Sequence, residues 1–522
     1  MRKRKLSHGS GNGRGSHKKS SPAATKPARR GARAVVRRKV LRRRAIAAPA
    51  MPVKPVPPRI VENKAYIKAL EFLLGHTDYE RMRVVRYNST TFSLDRMRQL
   101  LEGLGNPHLA YKTVHIAGTK GKGSTCHMLA SMLQSAGFKV GLYTSPHLLN
   151  MRERISINGQ YISEDQVAHL VKRIEVAMKK LGANKPTFFE ILTAMGFCHF
   201  ADEHVDIAVI ETGLGGRLDS TNVVNPEVTA ITSISYDHMA ILGNSLTKIA
   251  EEKAGIFKKD VPALSCIQEP EVEAVLRRVA AHVHAPLEFV GTDIEFSHRF
   301  EVTRPVGPHV RVSLMTERSH FEHLTVPLIG EHQAVNCGLA LAILDKLKAR
   351  GMKISDASAV AGLYAVNLPG RIETVWQNPR VIIDGAHNAA SVKALFRGIS
   401  QYIPYDSMVV IFGCNCDKDI DGMLEQVSLG ADKVIFTRSN NNPKSASPEE
   451  LSNRYVDRFG KMAQAAENFA DAMDIAARAI SREDVVTVTG SFYLIGEAKR
   501  FFMARTARDE AVKAHAAAAR GK

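Results

Sequence analysis

A chain of 522 residues, 44% hydrophobic and 24% charged, has a globular composition and is long enough for two or more cores. Its net charge of +20 misleads about the body: 19 of the 72 Lys/Arg and no Asp or Glu fall in residues 1–61, so the remaining 53 cations nearly balance 52 acids. No run reaches the ~18 uninterrupted apolar residues of a membrane helix, and six scattered cysteines without a Cys-x-x-Cys pair argue against a disulfide scaffold and fit a reducing, cytoplasmic setting.

Residues 1–58, with Arg42-Arg43-Arg44 among many Ala, Pro, Ser and Gly, hold too little apolar surface to fold alone and read as a disordered extension. Three roles stay open for it. It can touch nucleic acid or acidic surfaces by counterion release, act as an Arg-rich targeting peptide, or be a dispensable leader upstream of a start at Met51.

Between Val114 and Thr125 an apolar run breaks into Gly118-Thr119-Lys120-Gly121-Lys122-Gly123-Ser124, followed by the helical spacing Met128, Leu129, Met132, Leu133. A strand, a phosphate loop and a helix start are expected here. The glycines let backbone N–H groups turn toward phosphate oxygens, Lys122 offsets phosphate charge, and the Ser124 hydroxyl can reach Mg²⁺. The spacing is a variant one, with Ile116 where the usual loop has Gly and Gly123 between Lys122 and Ser124.

Further along, a helix at Phe188–Phe200 precedes strands at Val205–Ile210 and Val228–Ile234, the alternation of βα units on a parallel sheet. Glu211 follows the first strand and opens Glu211-Thr-Gly-Leu-Gly-Gly-Arg-Leu-Asp-Ser-Thr-Asn222. A carboxylate at the carboxyl end of a parallel strand sits where open α/β sheets bind ligands, so Glu211 can hold a metal, with His238 of Asp237-His238 as a second ligand from the next strand. Lys253, on a helix in Glu252-Lys-Ala-Gly-Ile256, is by spacing alone an ordinary solvated lysine. The irregular span 262–328 suggests antiparallel strands, such as Leu287–Val290 and Val310–Leu314, decorating the first domain.

Gly330-Glu-His-Gln-Ala-Val-Asn336 opens an apolar helix whose amide side chains suit a base or ribose, or simply cap the helix's own N–H groups. Beyond Pro369 a second βα series begins: strands at Val381–Ile383, Met408–Phe412, Lys433–Thr437 and Val485–Thr489, with helices at Ala389–Tyr402 and Ala465–Ile480. Arg371 and Asp384, at the junction and at the first strand end, can close on nucleotide phosphate and ribose. Cys414-Asn-Cys416 reads as loop packing rather than a redox or metal pair. The fold expected is α/β: a P-loop, Rossmann-like ATPase domain with a mainly parallel sheet over residues 60–367, a smaller Rossmann-like α/β domain over 369–505, and a fraying helix or tail over 506–522.

Together these motifs resemble the folylpolyglutamate synthase and dihydrofolate synthase family of Mur-type, ATP-dependent amide ligases. The resemblance covers about residues 60–505 and rests on residues 118–124, Thr-Ser-Pro-His at 144–147 with Glu-Arg-Ile at 153–155, residues 211–222, Asp237-His238, residues 252–256, 330–336, 369–373 and 384–388. It implies that Gly118, Thr119, Lys120, Gly121, Lys122, Gly123 and Ser124 cradle ATP phosphates, with Asn336, Arg371 and Asp384 on the nucleotide. Ser124, Ser145, Glu211 and His238 would be magnesium ligands, and Lys253 the family's carbamylated lysine. Arg96, in Phe92-Ser-Leu-Asp-Arg96, resembles a segment that touches the pteroate. Pro146, His147 and Arg154 belong to a folate-side loop over Ser145–Ile155, and Gly215, Gly216, Arg217, Leu218 and Asp219 would line the pterin side. His387 would lie near the glutamate or acyl-phosphate end, with His387 or Asp384 helping to deprotonate the amine. Lys120 stands where many bacterial members have Asn.

The activity implied is ATP-dependent joining of L-glutamate to folate or dihydropteroate through an acyl phosphate, by a monomer that does not touch membranes. Two rivals are a Mur-type ligase acting on a cell-wall precursor and a P-loop ATPase that binds nucleic acid through its basic extension.

Overall fold

The structure, a computed structural model, describes residues 63–80, 82, 93–182, 184–304, 306–440 and 442–520. The extension 1–58 and Phe92 lie outside them.

Eight strands form the first sheet: β1 (Lys112–Ala117), β2 (Val140–Tyr143), β3 (Ile155–Ile157), β4 (Gln160–Tyr161), β5 (Ile207–Glu211), β6 (Val228–Ile231), β7 (Ala263–Cys266) and β8 (Leu287–Val290). Their order is β4-β3-β2-β5-β1-β6-β7-β8, parallel except where β3 and β4 fold back on β2. Strands β1, β5 and β6 are buried along nearly their whole length, as both-sided coverage of a parallel sheet requires. Coverage comes from helices apolar on every side, such as Phe188–Asp202, which starts in a capping box made by Thr187 and Glu190, and Glu331–Ala349. Chain order reverses around β1, so the carboxyl ends of β1, β2, β5 and β6 meet at a switch point where ligands of such sheets bind.

Strands β9 (Glu295–Thr303), β10 (Gly307–Met315) and β11 (His320–Val326) form a separate antiparallel meander. Val310, Val312 and Leu314 alternate toward one face and join the core shared with helix Glu331–Ala349. The expected antiparallel decoration is therefore present at Val310–Leu314. Leu287–Val290 differs: β8 pairs in parallel with β7 as the edge of the main sheet, because helix Pro270–Val283 gives it a crossover long enough for parallel pairing.

The second large sheet contains β12 (Glu373–Gln377), β13 (Arg380–Ile383), β14 (Met408–Phe412), β15 (Lys433–Phe436), β16 (Gln464–Ala465) and β17 (Val485–Thr489), in the order β12-β13-β17-β14-β15-β16. Only β12 runs antiparallel, and this sheet's carboxyl edge faces that of the first across one cleft. One helix, Phe492–Arg520, closes the chain and runs through the boundary expected at 505 without a break.

Candidate active site

A cavity of about 670 Å³ occupies the cleft and is lined by residues from the carboxyl ends of both sheets. The phosphate loop forms part of its floor. Gly118 and Gly121 have φ of +147° and +86°, and a Cβ on either would sit 1.8 Å from Thr232 Oγ1 or 2.1 Å from Asn336 Oδ1. Both must be glycine for conformation and for space. Thr119 and Lys120 donate their N–H groups to the Ser233 carbonyl at 2.9 and 3.1 Å, and the Thr119 hydroxyl bonds the Ser235 backbone. The N–H groups that can meet an anion therefore begin at Gly121, where helix Lys122–Ser135 starts without a side-chain cap.

Around this loop the charges converge. Lys122 Nζ lies 3.8 Å from Glu211 Oε1, and the other Glu211 oxygen accepts the Ser145 N–H at 3.2 Å. Burial pushes the Glu211 carboxyl up from its ordinary value against the pull of Lys122, so this site favours added positive charge. Ser124 is buried and lines the same cavity. His238 lines the cavity from a left-handed backbone position at φ +49°. Among the described residues no three His, Cys, Asp or Glu side chains gather as a metal cage. One buried carboxylate with hydroxyls nearby instead suits a hard cation that keeps phosphate and water oxygens as its other ligands.

Lys253 is not the solvated lysine its spacing suggests. It is buried, its Nζ donates to Gly118 O at 2.7 Å, and burial together with Lys122 lowers its ammonium to about 7. Lys120 lines the cavity with an ammonium lowered by burial to about 8.

Asn336 and Arg371 both line the cavity; the Asn336 amide donates to Gln333 Oε1 at 3.1 Å, and Arg371 lies over the Phe492 ring at 4.9 Å. Asp384 accepts the N–H groups of Ile372 at 2.9 Å and Ala386 at 2.8 Å, one on each oxygen. Those two bonds tie Asp384 to the Arg371 and His387 loops, and it also lines the cavity. His387 Nδ1 lies 2.8 Å from Gly385 O, and its Nε2 faces Asp237 at 3.5 Å.

On the opposite side, Arg96 Nε bonds both oxygens of Glu190, at 2.9 and 2.8 Å, and lines the cavity with Ser145, Pro146, Phe189, Gly215, Leu218 and Asp219. Asp219 shapes its loop, accepting Leu214 N–H at 2.8 Å and Thr221 N–H at 3.0 Å. Gly216, Arg217, His147 and Arg154 do not line the cavity, although the sequence reading placed them on substrate. Gly216 packs on the Glu252 and Lys253 carbonyls, and Arg217 turns outward to pair with Glu252 at 2.7 Å. Arg154 is wholly buried, bonding His147 Nδ1 at 2.9 Å and both Glu80 oxygens at 2.8 and 2.7 Å. Burial alone would raise the Glu80 carboxyl, but Arg154 holds it below its ordinary value. Its contribution is thus present at neutral pH and is lost as acid titrates the folded carboxylate. Glu80→Gln should destabilise the protein by roughly 3 kcal/mol, because it leaves the Arg154 cation without its counter-charge; the urea unfolding midpoint measures it.

Two groups to which the sequence assigned no role complete the site. Asp237 accepts Lys418 Nζ at 2.6 Å and Asn388 Nδ2 at 3.2 Å, joining the first sheet's β6 edge to the second sheet's loops. Phe492 backs both Arg371 and His387.

Residues 116–344 match the Mur ligase middle domain and residues 370–492 the Mur ligase glutamate ligase domain. A dihydrofolate synthase/folylpolyglutamate synthase of Bacillus subtilis is 36% identical over 418 residues, 78% of this chain and 94% of its own. The Escherichia coli protein of the same description is 33% identical over 413 residues, 79% and 92%. Among solved structures, Mycobacterium tuberculosis folylpolyglutamate synthase complexed with ADP superposes with a TM-score of 0.75 at 32% identity, covering 84% of this chain and 98% of that one. Escherichia coli FolC in complex with DHPP and ADP gives 0.72 at 30% identity, covering 84% and 98%.

Proposed function

The chain belongs to the folylpolyglutamate synthase/dihydrofolate synthase family of Mur ligases, and from that premise we propose that its cavity joins L-glutamate to dihydropteroate and to reduced folates at the expense of ATP. The observation that carries this reading is the single cavity that sets the Lys122 loop and Glu211 opposite Arg371, Asp384 and His387.

A carboxylate is a poor electrophile. One acceptor carboxylate oxygen attacks the γ-phosphorus, ADP leaves, and the resulting acyl phosphate has a good leaving group. The glutamate amine then attacks the carbonyl carbon, phosphate departs with the bridging oxygen, and the amine proton is released. Lys122 and the N–H groups from Gly121 onward stabilise charge on the transferring phosphoryl group. Glu211, Ser124, Ser145 and His238 would hold Mg²⁺, which supplies charge neutralisation on the phosphate oxygens when bound. Arg371, fixed over Phe492 and by the bonds of Asp384 to its loop, orients the nucleotide. The cleft between the sheets shields the acyl phosphate from water. His387 Nε2 is the position that can take up the amine proton, and Asp237 faces it.

Lys253 fits carbamylation: a buried lysine with its ammonium lowered to about 7 supplies the neutral amine that adds CO₂, forming an N–C bond and releasing a proton. At fixed dissolved CO₂ the modified fraction should rise as the pH is raised through that value. Intact mass spectrometry under native conditions should show a gain of one CO₂ that Lys253→Ala lacks.

The activity is tested by incubating the full chain with ATP, Mg²⁺ and labelled glutamate, with dihydropteroate or tetrahydrofolate as acceptor. ATP-dependent incorporation with at least one acceptor is expected; none with either would refute the reading.

A further inference from the structure

The loop that leaves β2 ends up in the core of the other half of the molecule. Leu148, 9% exposed, is counted among the buried side chains packed on the second sheet and helix Phe492–Arg520, with Leu149 packed against the same cluster. Its socket is made by two glycines. A Cβ on Gly496 would stand 2.4 Å from Leu148 O, and one on Gly370, at φ +67°, would stand 3.5 Å from Leu148 Cδ2. Arg500 reaches the Leu149 carbonyl at 3.5 Å from the same helix.

The loop is stiff enough to transmit this seating. Glu153 accepts the N–H groups of Leu148, Leu149 and Asn150 at 2.7, 2.8 and 2.7 Å, so one carboxylate holds three successive amides. Three residues before Leu148, the Ser145 N–H donates to Glu211, and Pro146 lines the cavity. Thus one short segment touches the second domain's core at one end and the phosphate-facing carboxylate at the other.

We propose that Leu148, seated between Gly370 and Gly496, is a positioning residue: it couples the seating of the glutamate ligase domain to the placement of Ser145 and Pro146 against the acceptor and to exclusion of water from the acyl phosphate. This rests on the reaction proposed above. When the seat is lost, water attacks the acyl carbonyl in place of the glutamate amine, regenerating the acceptor carboxylate and releasing phosphate without amide formation.

The test compares Leu148→Ala, Leu148→Met and Gly496→Ala in the full chain. Gly496→Ala leaves the loop sequence intact and favours the helix that carries it, so a loss there comes through the Leu148 contact. Both alanine variants should bind ADP like the wild type and raise the acceptor KM about tenfold. Phosphate released per amide formed should rise above one. Leu148→Met, which keeps the volume, should restore both. Wild-type acceptor KM and stoichiometry in either alanine variant would overturn the proposal, as would a loss of activity that only follows the folded fraction. A wild type that incorporates no glutamate would refute the function itself, a separate outcome.

Discussion

Replacing Lys122 by alanine will lower ATP-dependent glutamate incorporation by about three orders of magnitude, the scale set by removing a cation from a phosphoryl-transfer site. The effect should appear mainly in kcat, because Lys122 acts most strongly on charge that develops during transfer. Its Nζ is 3.8 Å from Glu211, whose carboxyl is destabilised by burial, so the substitution also removes a counter-charge from that buried acid. Stability should change little, since added cation can replace the lost charge. Steady-state kinetics with a thermal unfolding control separates the two effects.

Substituting Asp237 by alanine is expected to be the most damaging change away from the phosphate loop. Asp237 meets Lys418 at 2.6 Å, and the two side chains are 6% and 9% exposed. Burial would raise its carboxyl, yet His238, His387 and Lys418 together hold it well below the ordinary range. Removing it leaves the buried Lys418 ammonium without its partner, at a cost of roughly 3–5 kcal/mol. Because Asn388 bonds the same carboxylate at 3.2 Å, the N-terminal cap of helix Ala389–Tyr402 is also disturbed. Lower thermal stability, together with loss of ligation, is the expected result. Asp237→Ala in combination with Lys418→Met should recover part of the stability, because the double change no longer buries a lone charge. Differential scanning calorimetry of both proteins measures this recovery.

Much of this architecture was legible because it is local. Met408–Phe412, Val485–Thr489 and Ala389–Tyr402 are recovered with the expected bounds, since a buried strand or a one-sided helix writes its period into a few consecutive residues. The Gly118–Ser124 loop was legible for the same reason. Long-range partners were not. The role of Asp237 depends on Lys418, 181 positions away, and no spacing rule links them. The character of Lys253 also comes from burial against Gly118 O, 135 positions away. Arg217 and Arg154 stand within motifs, yet do not line the cavity themselves and pair instead with Glu252 and Glu80. Their motifs carry loop architecture as well as substrate contact. A signal for the Leu148 socket existed in Gly370 and Gly496, but neither glycine could be matched to its knob before the loop's path was known.

Activation of the acceptor carboxylate by phosphorylation before the amine attacks leaves a mark on the phosphate released. An acceptor labelled with heavy oxygen in that carboxylate, turned over with ATP, Mg²⁺ and glutamate, tests it most directly. One labelled oxygen per amide formed is expected in the released inorganic phosphate. Amide formation with unlabelled phosphate would contradict it.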